Sequence, residues 1–453
     1  MKNPNNPFLS KIVILATLGY FVDVYDLFLY SITKKTSILS LLHISKNDIN
    51  VKLFPNDSLV KANLAEYLHQ STYVIDMQMI GLLIGGILWG ILGDKKGRTK
   101  TLLASIFIYS VCNFCTSFVQ NVEWYAWLRF LTGVGLAGEL GAGITIITEH
   151  LSKEKRGIGT SFLAARGILG VSFAFYVNYV LNLDLHTIYK YIPNTYQHWL
   201  EQKEGWRIAY QVGGFLGFIL LLLRIKIFDS SIFIQVKKQA NIKRGNFLYL
   251  FSNGVVFKKY FFSILVGFPV WYLVGLLINQ SDIIGLHFEK PISDIDSAKC
   301  VLYYHITVVI GDLASGFICQ YFQSRRKTML VYFIANMVFM GIYFSPLNHS
   351  ANTMYIICCF LGLTGGFWAI FLTMGAEQFG TNIRATAATS IPNMVRGSLI
   401  LSNFLFNGFF PVYFDMGVVK SAILTGVVIY FLALWALYFL EETYHKNLDY
   451  IEE

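Results

Sequence analysis

The chain of 453 residues is 55% hydrophobic and only 14% charged, and its 36 Lys and Arg outnumber 27 Asp and Glu for a formal net charge of +9. A water-soluble protein carries about 25% charged residues, so a mean hydropathy of +0.52 excludes a string of ordinary soluble domains. The basic excess calls for no nucleic acid, because membrane topology collects Lys and Arg in segments between apolar blocks.

Those blocks lie near residues 11–33, 73–92, 101–120, 125–149, 158–182, 207–228, 258–281, 300–321, 329–346, 354–377, 385–411 and 416–439. Each is long enough to cross a hydrocarbon core of about 30 Å. The expected fold is an all-α membrane protein of about twelve transmembrane helices. The first block follows Lys11, carries two aspartates and lacks a small-residue cleavage site. It therefore reads as a retained helix and not as a signal peptide.

Span one contains GYFVDVYDLFLYS. On a helix, Gly19, Asp23, Asp26, Tyr30 and Thr33 fall within an arc of about 80°. A carboxylate at the bilayer centre costs roughly 2.5–3.5 kcal/mol even on the mildest scale, so this stripe has to face a cavity or a partner. Neighbouring buried carboxyls suit a proton carrier, which makes Asp23 and Asp26 candidates for coupling and Tyr30 a candidate cavity residue. A structural contact, with one Asp capped by a cation, is the alternative. Residues 34–72 read as a long outer loop.

Between spans two and three stands GILGDKKGRTK, Gly90 to Lys100. So short a hinge demands a tight turn, which Gly93 and Gly97 permit. Asp94 can then pair with a cation or a helix N-terminus. Gly90, Asp94, Gly97 and Arg98 form a candidate gate, since loop topology explains the lysines but not the G-x-x-x-D-x-x-G-R spacing. Span three holds Cys112 and Cys115 as C-x-x-C with no second ligand pair. The cysteines read as packing, and neither metal nor cofactor is expected.

Span four carries Gly133, Gly135 and Gly138 as G-x-G-x-x-G. Dinucleotide binding would need a preceding strand; mid-span, close helix packing is the expectation. At about 1.5 Å rise per residue, Glu139 and Arg166 both lie about 13–15 Å from the ends of their spans, which permits a Glu139–Arg166 ion pair. Arg396 shares an arc of about 80° with Asn393, Asn403 and Asn407, and Asp312 lies deep enough to pair with it. Such pairs either tie helices together or leave an arginine free to hold a carboxylate or phosphate.

Gly138 to Glu149 reads GELGAGITIITE and Gly366 to Glu377 reads GFWAIFLTMGAE, with Arg156 and Arg384 each seven residues further on. The offset is half the chain, the sign of an internal repeat, and Glu149, Arg156, Glu377 and Arg384 join the candidate gate. Two six-helix halves are expected at 1–228 and 258–453, joined by a basic linker at 229–257, with a site between them near the midplane. Arg224, Lys226, Lys237, Lys238, Lys243, Arg244, Lys258 and Lys259 place the linker and both termini on the cytoplasmic side.

These motifs together resemble the major facilitator superfamily over most of the chain. GILGDKKGRTK looks like its loop between helices two and three. The run from Arg129 through Gly133, Gly135, Gly138 and Glu139 to Glu149 and Arg156 resembles helix four of its sugar-porter, phosphate:proton and metabolite:proton branches. GYFVDVYDLF is similar to helix one of the latter two, where the resemblance links Asp23 and Asp26 to proton movement. AEQFGTNIRAT, Ala376 to Thr386, looks like the second-half counterpart. The second-half loop departs from the pattern with Gln320 in place of Asp, and WYLVG ends in Gly275 where phosphate symporters resemble one another in an Asp.

The expected function is proton-coupled uptake of a small polar metabolite, of organic acid, sugar or amino acid class, by alternating access. A proton-driven exporter of a drug, siderophore or metabolite is the alternative, and a non-transporting sensor a remoter one. No nucleophile–base or metal-ligand cluster suggests an enzyme, and no phosphate-binding glycine loop suggests an ATP-driven pump. The expected setting is a monomer spanning a bacterial inner membrane many times, with small solute, protons or another cation, and lipid as its partners.

Overall fold

The computed structural model describes residues 11–45, 47–49, 57–96, 98–139, 156–182, 204–228, 247, 249–292, 294–345, 350–380 and 383–446. The first half runs α1 (Lys11–Leu41), α2 (Ser58–Lys96), α3 (Arg98–Thr116), α4 (Val122–Leu136), α5 (Arg156–Asn182) and α6 (Gly205–Phe228). The second runs α7 (Gly254–Trp271), α8 (Ser297–Phe322), α9 (Arg325–Tyr343), α10 (Ala351–Gly365, resuming at Trp368–Glu377), α11 (Arg384–Asn403) and α12 (Val418–Phe439). Among the described residues, seven helical stretches are long and apolar enough to cross a membrane, from Ser58–Leu92 to Val418–Phe439.

The caps lie where the apolar runs stop. Asn121 accepts from Trp124 N to open α4, Ser324 from Lys327 N to open α9, and Ser350 from Thr353 N to open α10. Each satisfies a backbone N–H that has no partner inside the helix. The structure corrects the expected outer loop at 34–72, because α1 continues to Leu41 and α2 begins at Ser58. Ser58 to Thr72 is rich in good helix formers and more polar than the apolar run that follows it, and Asp57 accepts from Leu59 N at its start.

Helix packing repeats in steps of six. α1 lies on α5 as α7 lies on α11, α2 on α4 as α8 on α10, and α3 on α6 as α9 on α12. The halves meet along α5–α8 and α2–α11, with α1 also touching α8. Close approach depends on small residues. A Cβ at Gly133 would run into the backbone of Gln78 on α2, and one at Gly135 would lie 2.7 Å from Tyr109 N on α3. The glycine triplet of span four is therefore helix-packing surface.

Three helices of the second half are broken among the described residues, α11 by a π-helical stretch over Phe404–Phe409 that resumes as Phe410–Phe414. Pro269 sits inside α7, which widens into a π-helical stretch over Tyr272–Ile278 and resumes as Ser281–Leu286. Proline's missing N–H opens the helical ladder there. α10 breaks at Gly366, where a Cβ would strike the backbone of Gly311 and Asp312.

Candidate functional site

The α1 stripe is buried, and its partners come from other helices. Asp23 and Asp26 are both fully enclosed. Asp23 Oδ2 lies 3.6 Å from Arg396 Nη2 of α11, an ion pair between the halves. Arg396 Nη1 also donates to Asn393 Oδ1 at 3.3 Å, and Asn393 Nδ2 donates across the interface to Ala137 O at 3.0 Å. The expected Asp312–Arg396 pair is thus corrected. Asp312 instead accepts from Ala369 N at 3.2 Å, capping the resumed part of α10. A carboxylate suits that position because it faces exposed N–H groups and the positive end of the helix dipole.

Asp26 takes no hydrogen bond to its carboxyl oxygens among the described residues. Gly213 of α6 makes room for it, since a Cβ there would meet Asp26 Oδ1. Beside it stands Arg129, completely buried. Arg129 donates to Asn113 Oδ1 at 2.9 Å, to Gln78 Oε1 at 2.8 Å and to the Asp26 carbonyl at 3.0 Å. Tyr30 is turned away from the interface, donating to Ser71 O at 2.7 Å and packing edge-on against Tyr125.

The Glu139–Arg166 expectation also fails. Glu139 is clamped by both terminal nitrogens of Arg224 on α6, whereas Arg166 is exposed on α5. Gly19 packs against this pair, and a Cβ there would make the ends of both side chains shift. Of the candidate gate, Gly97 and Glu149 lie outside the described residues, as do the side chains of Asp94, Arg98 and Arg156. Gly90 has open space around its Cβ position. In the second half Glu377 pairs with Arg325 at 3.3 Å and accepts from Thr443 at 2.8 Å. Arg384 Nε donates to Phe379 O at 3.0 Å. Near Gln320, Glu442 accepts from the Ser324 hydroxyl, Arg325 N and Arg326 N.

Between the halves lies a cavity lined by α1, α5, α7, α8, α10 and α11. Its walls mix aromatic and aliphatic side chains, with Phe28, Trp271, His305 and Trp368 among the former and Val24, Val270 and Val308 among the latter, and Arg396 reaches it. Further contacts between the halves lie toward the end where α1 meets α2. Lys34 Nζ donates to Asn279 O at 2.5 Å and lies 4.0 Å from Asp282, while Asn403 Nδ2 donates to Asp76 Oδ1 at 2.7 Å. Sequence reasoning did not single out Arg129, Arg224, Lys34, Asp76 or His305 as site residues. The available signal was a charged or titratable residue inside an apolar span, which is rarely placed there without a partner.

Two pseudo-symmetric six-helix bundles around a buried, charge-paired central cavity define a membrane transporter and not an enzyme. The profile of the Major Facilitator Superfamily matches residues 16–402, and the chain belongs to that superfamily. It is 22% identical over 409 residues to the niacin transporter NiaP of Acinetobacter baylyi, covering 80% of this chain and 84% of that one. A putative metabolite transport protein of Haemophilus influenzae is 26% identical over 463 residues, covering 99% and 100%. The solved structure of the proton:xylose symporter XylE bound to 6-bromo-6-deoxy-D-glucose shares the fold, with a TM-score of 0.62 at 16% identity over 97% of each chain. The protein is accordingly a multi-pass membrane transporter of a small molecule.

Proposed function

We propose that the protein takes up a small polar metabolite together with protons by alternating access, as a monomer in a bacterial inner membrane with both termini cytoplasmic. The observation that carries this reading is the Asp23–Arg396 pair, buried in the cavity region and bridging the two halves. A proton on Asp23 would cancel the charge that holds Arg396, so proton occupancy and contact between the halves become one variable. Asp26, three residues on and without a hydrogen bond to its carboxyl among the described residues, is the second candidate carrier. The halves are assigned to 1–228 and 258–453 with 229–257 as linker, on the half-chain repeat and the six-step packing. Relatives named as niacin and metabolite transporters support the size and polarity of the solute.

The test is uptake into proteoliposomes. Accumulation should rise as the outside is acidified and collapse with a protonophore. A sodium requirement without pH dependence would replace the proton by another cation, and accumulation only against the imposed proton flow would make the protein an exporter.

A further inference from the structure

We infer that the central cavity takes a small planar ring acid, an aromatic or heteroaromatic monocarboxylate. Arg396 receives the carboxylate, and the rings of Phe28, Trp271 and His305 receive the flat face. This rests on the reading of the cavity as the transport site.

The walls select for flatness. Phe28 and Trp271 lie parallel, with ring centroids 6.0 Å apart and planes 3° from one another, and His305 meets Phe28 edge-on at 4.3 Å. All three line the cavity. His305 Nδ1 lies 2.7 Å from the Val301 carbonyl, which can only accept, so this N–H donates and fixes the imidazole ring. Such a preset group of rings offers π-faces and edges to another ring at little cost in ordering.

The polar groups select for an acceptor. Arg396 is the one charged residue among the described residues lining the cavity. Its Nη2 faces Asp23 and its Nη1 donates to Asn393, while its Nε, itself enclosed, has no acceptor among the described residues. Trp271 is 4% exposed, and its Nε1 also lacks an acceptor among the described residues. Two buried donors without acceptors are costly, and a carboxylate, which accepts without donating, satisfies donors of this kind. No Asn, Gln, Asp or Glu is among the described lining residues. A sugar would find few partners for its several hydroxyls, and a phosphate dianion would meet a single cation.

The geometry also sets the order of events. Substrate carboxylate and Asp23 compete for one guanidinium, and both charged together would leave an excess negative charge in a poorly solvated space. Asp23 takes one proton from the outer solution, forming its carboxyl O–H bond, as the substrate carboxylate takes its place on Arg396, and no other covalent bond changes.

The experiment is calorimetric titration of the purified full chain in lipid nanodiscs with benzoate, pyridine-3-carboxylate, cyclohexanecarboxylate, benzamide and glucose. Benzoate or pyridine-3-carboxylate should bind at least about ten-fold more tightly than cyclohexanecarboxylate or benzamide, with about one proton taken up per ligand, read from buffers of different ionisation enthalpy. Trp271→Phe, which keeps a ring and removes the donor, should weaken benzoate several-fold. Arg396→Lys should weaken it more and narrow the preference over benzamide. Equal affinity for cyclohexanecarboxylate, saturable glucose binding, or no ring-acid binding by folded protein would overturn the proposal. Ring-acid binding without any proton-driven uptake would leave this inference and sink the coupling. Proton-driven uptake of solutes other than ring acids would do the reverse.

Discussion

Arg396 of α11 reaches across the junction of the two halves to set its guanidinium 3.6 Å from the Asp23 carboxylate of α1. Both side chains are buried, and Asn393 holds the same guanidinium from one turn away. A buried pair of this kind contributes little net stability against an apolar replacement, but removing one partner strands the other charge.

Asp23→Asn and Arg396→Gln should therefore each destabilise the detergent-solubilised protein by about 3–5 kcal/mol, while the double variant recovers a large part of that loss. Thermal unfolding of the four proteins gives the coupling directly. Additive losses would mean that the two groups do not sense each other.

The glycines divide by what surrounds them. Gly133 abuts the Gln78 backbone, so Gly133→Ala must push α4 away from α2 and should lower the unfolding temperature by several degrees. Gly90 has nothing near its Cβ position. Gly90→Ala should be neutral or stabilising by about 0.5–1 kcal/mol, the ordinary gain for alanine within a helix. A large loss from Gly90→Ala would show that α2 needs closer contact there than this arrangement contains.

Glu442 ties the segment after α12 to the first turn of α9. Burial opposes its ionisation, but the Ser324 hydroxyl and the N–H groups of Arg325, Tyr444 and Arg326 outweigh it and hold the carboxyl below the usual glutamate range. A lowered folded-state value means that the contribution is present above the unfolded value and is lost as pH falls through the folded one. Hydrogen exchange of the Arg325 and Arg326 amides should be slow at neutral pH and speed up relative to other helix starts once the pH falls below the usual glutamate range. Glu442→Gln should give the fast behaviour already at neutral pH, and unchanged exchange in that variant would remove the clamp.

Asp76 and Asn403 are in contact at the end where α1 meets α2. If the halves part there during transport, the variant with Asp76→Cys and Asn403→Cys should lose uptake on oxidation and regain it on reduction. Each single variant should be indifferent to oxidant. Full uptake by the oxidised double variant would place the moving contact elsewhere.

Span order and the repeat were legible because apolar runs and recurring motifs are local in sequence. Depth along a helix was legible too: Glu139 and Arg396 read as lying deep in their spans, with pairing and a free arginine both open, and the structure pairs Glu139 with Arg224 and Arg396 with Asp23. Their partners were misassigned, because equal depth leaves azimuth and neighbour order open. Arg224 clamps Glu139 from α6, where sequence alone shows only one more basic residue at a span's end. Asp312 found backbone N–H groups instead of a cation because α10 breaks beside it, and that break needs the close approach of Gly311 to Gly366. The helical start of α2 was hidden by its polarity, since hydropathy measures lipid contact and not helicity.

Asp26 decides whether the carboxyl stripe carries protons. Its carboxyl oxygens take no hydrogen bond among the described residues, and its only direct link to Arg129 runs through its backbone carbonyl. Asp26→Asn keeps the shape that Gly213 accommodates and mimics a permanently protonated group. A carrier locked in that form can still cycle when loaded, so counterflow exchange should persist. It cannot release a proton, so accumulation driven by the gradient should be lost. Asp23→Asn should likewise keep counterflow and lose accumulation, because in the loaded carrier the substrate carboxylate occupies Arg396. A purely structural Asp26 predicts another pattern: loss of folded protein, or loss of exchange and accumulation together. The measurement is therefore counterflow beside net uptake for each variant in proteoliposomes. Accumulation equal to the parent in both would end the proton-carrier role of this stripe.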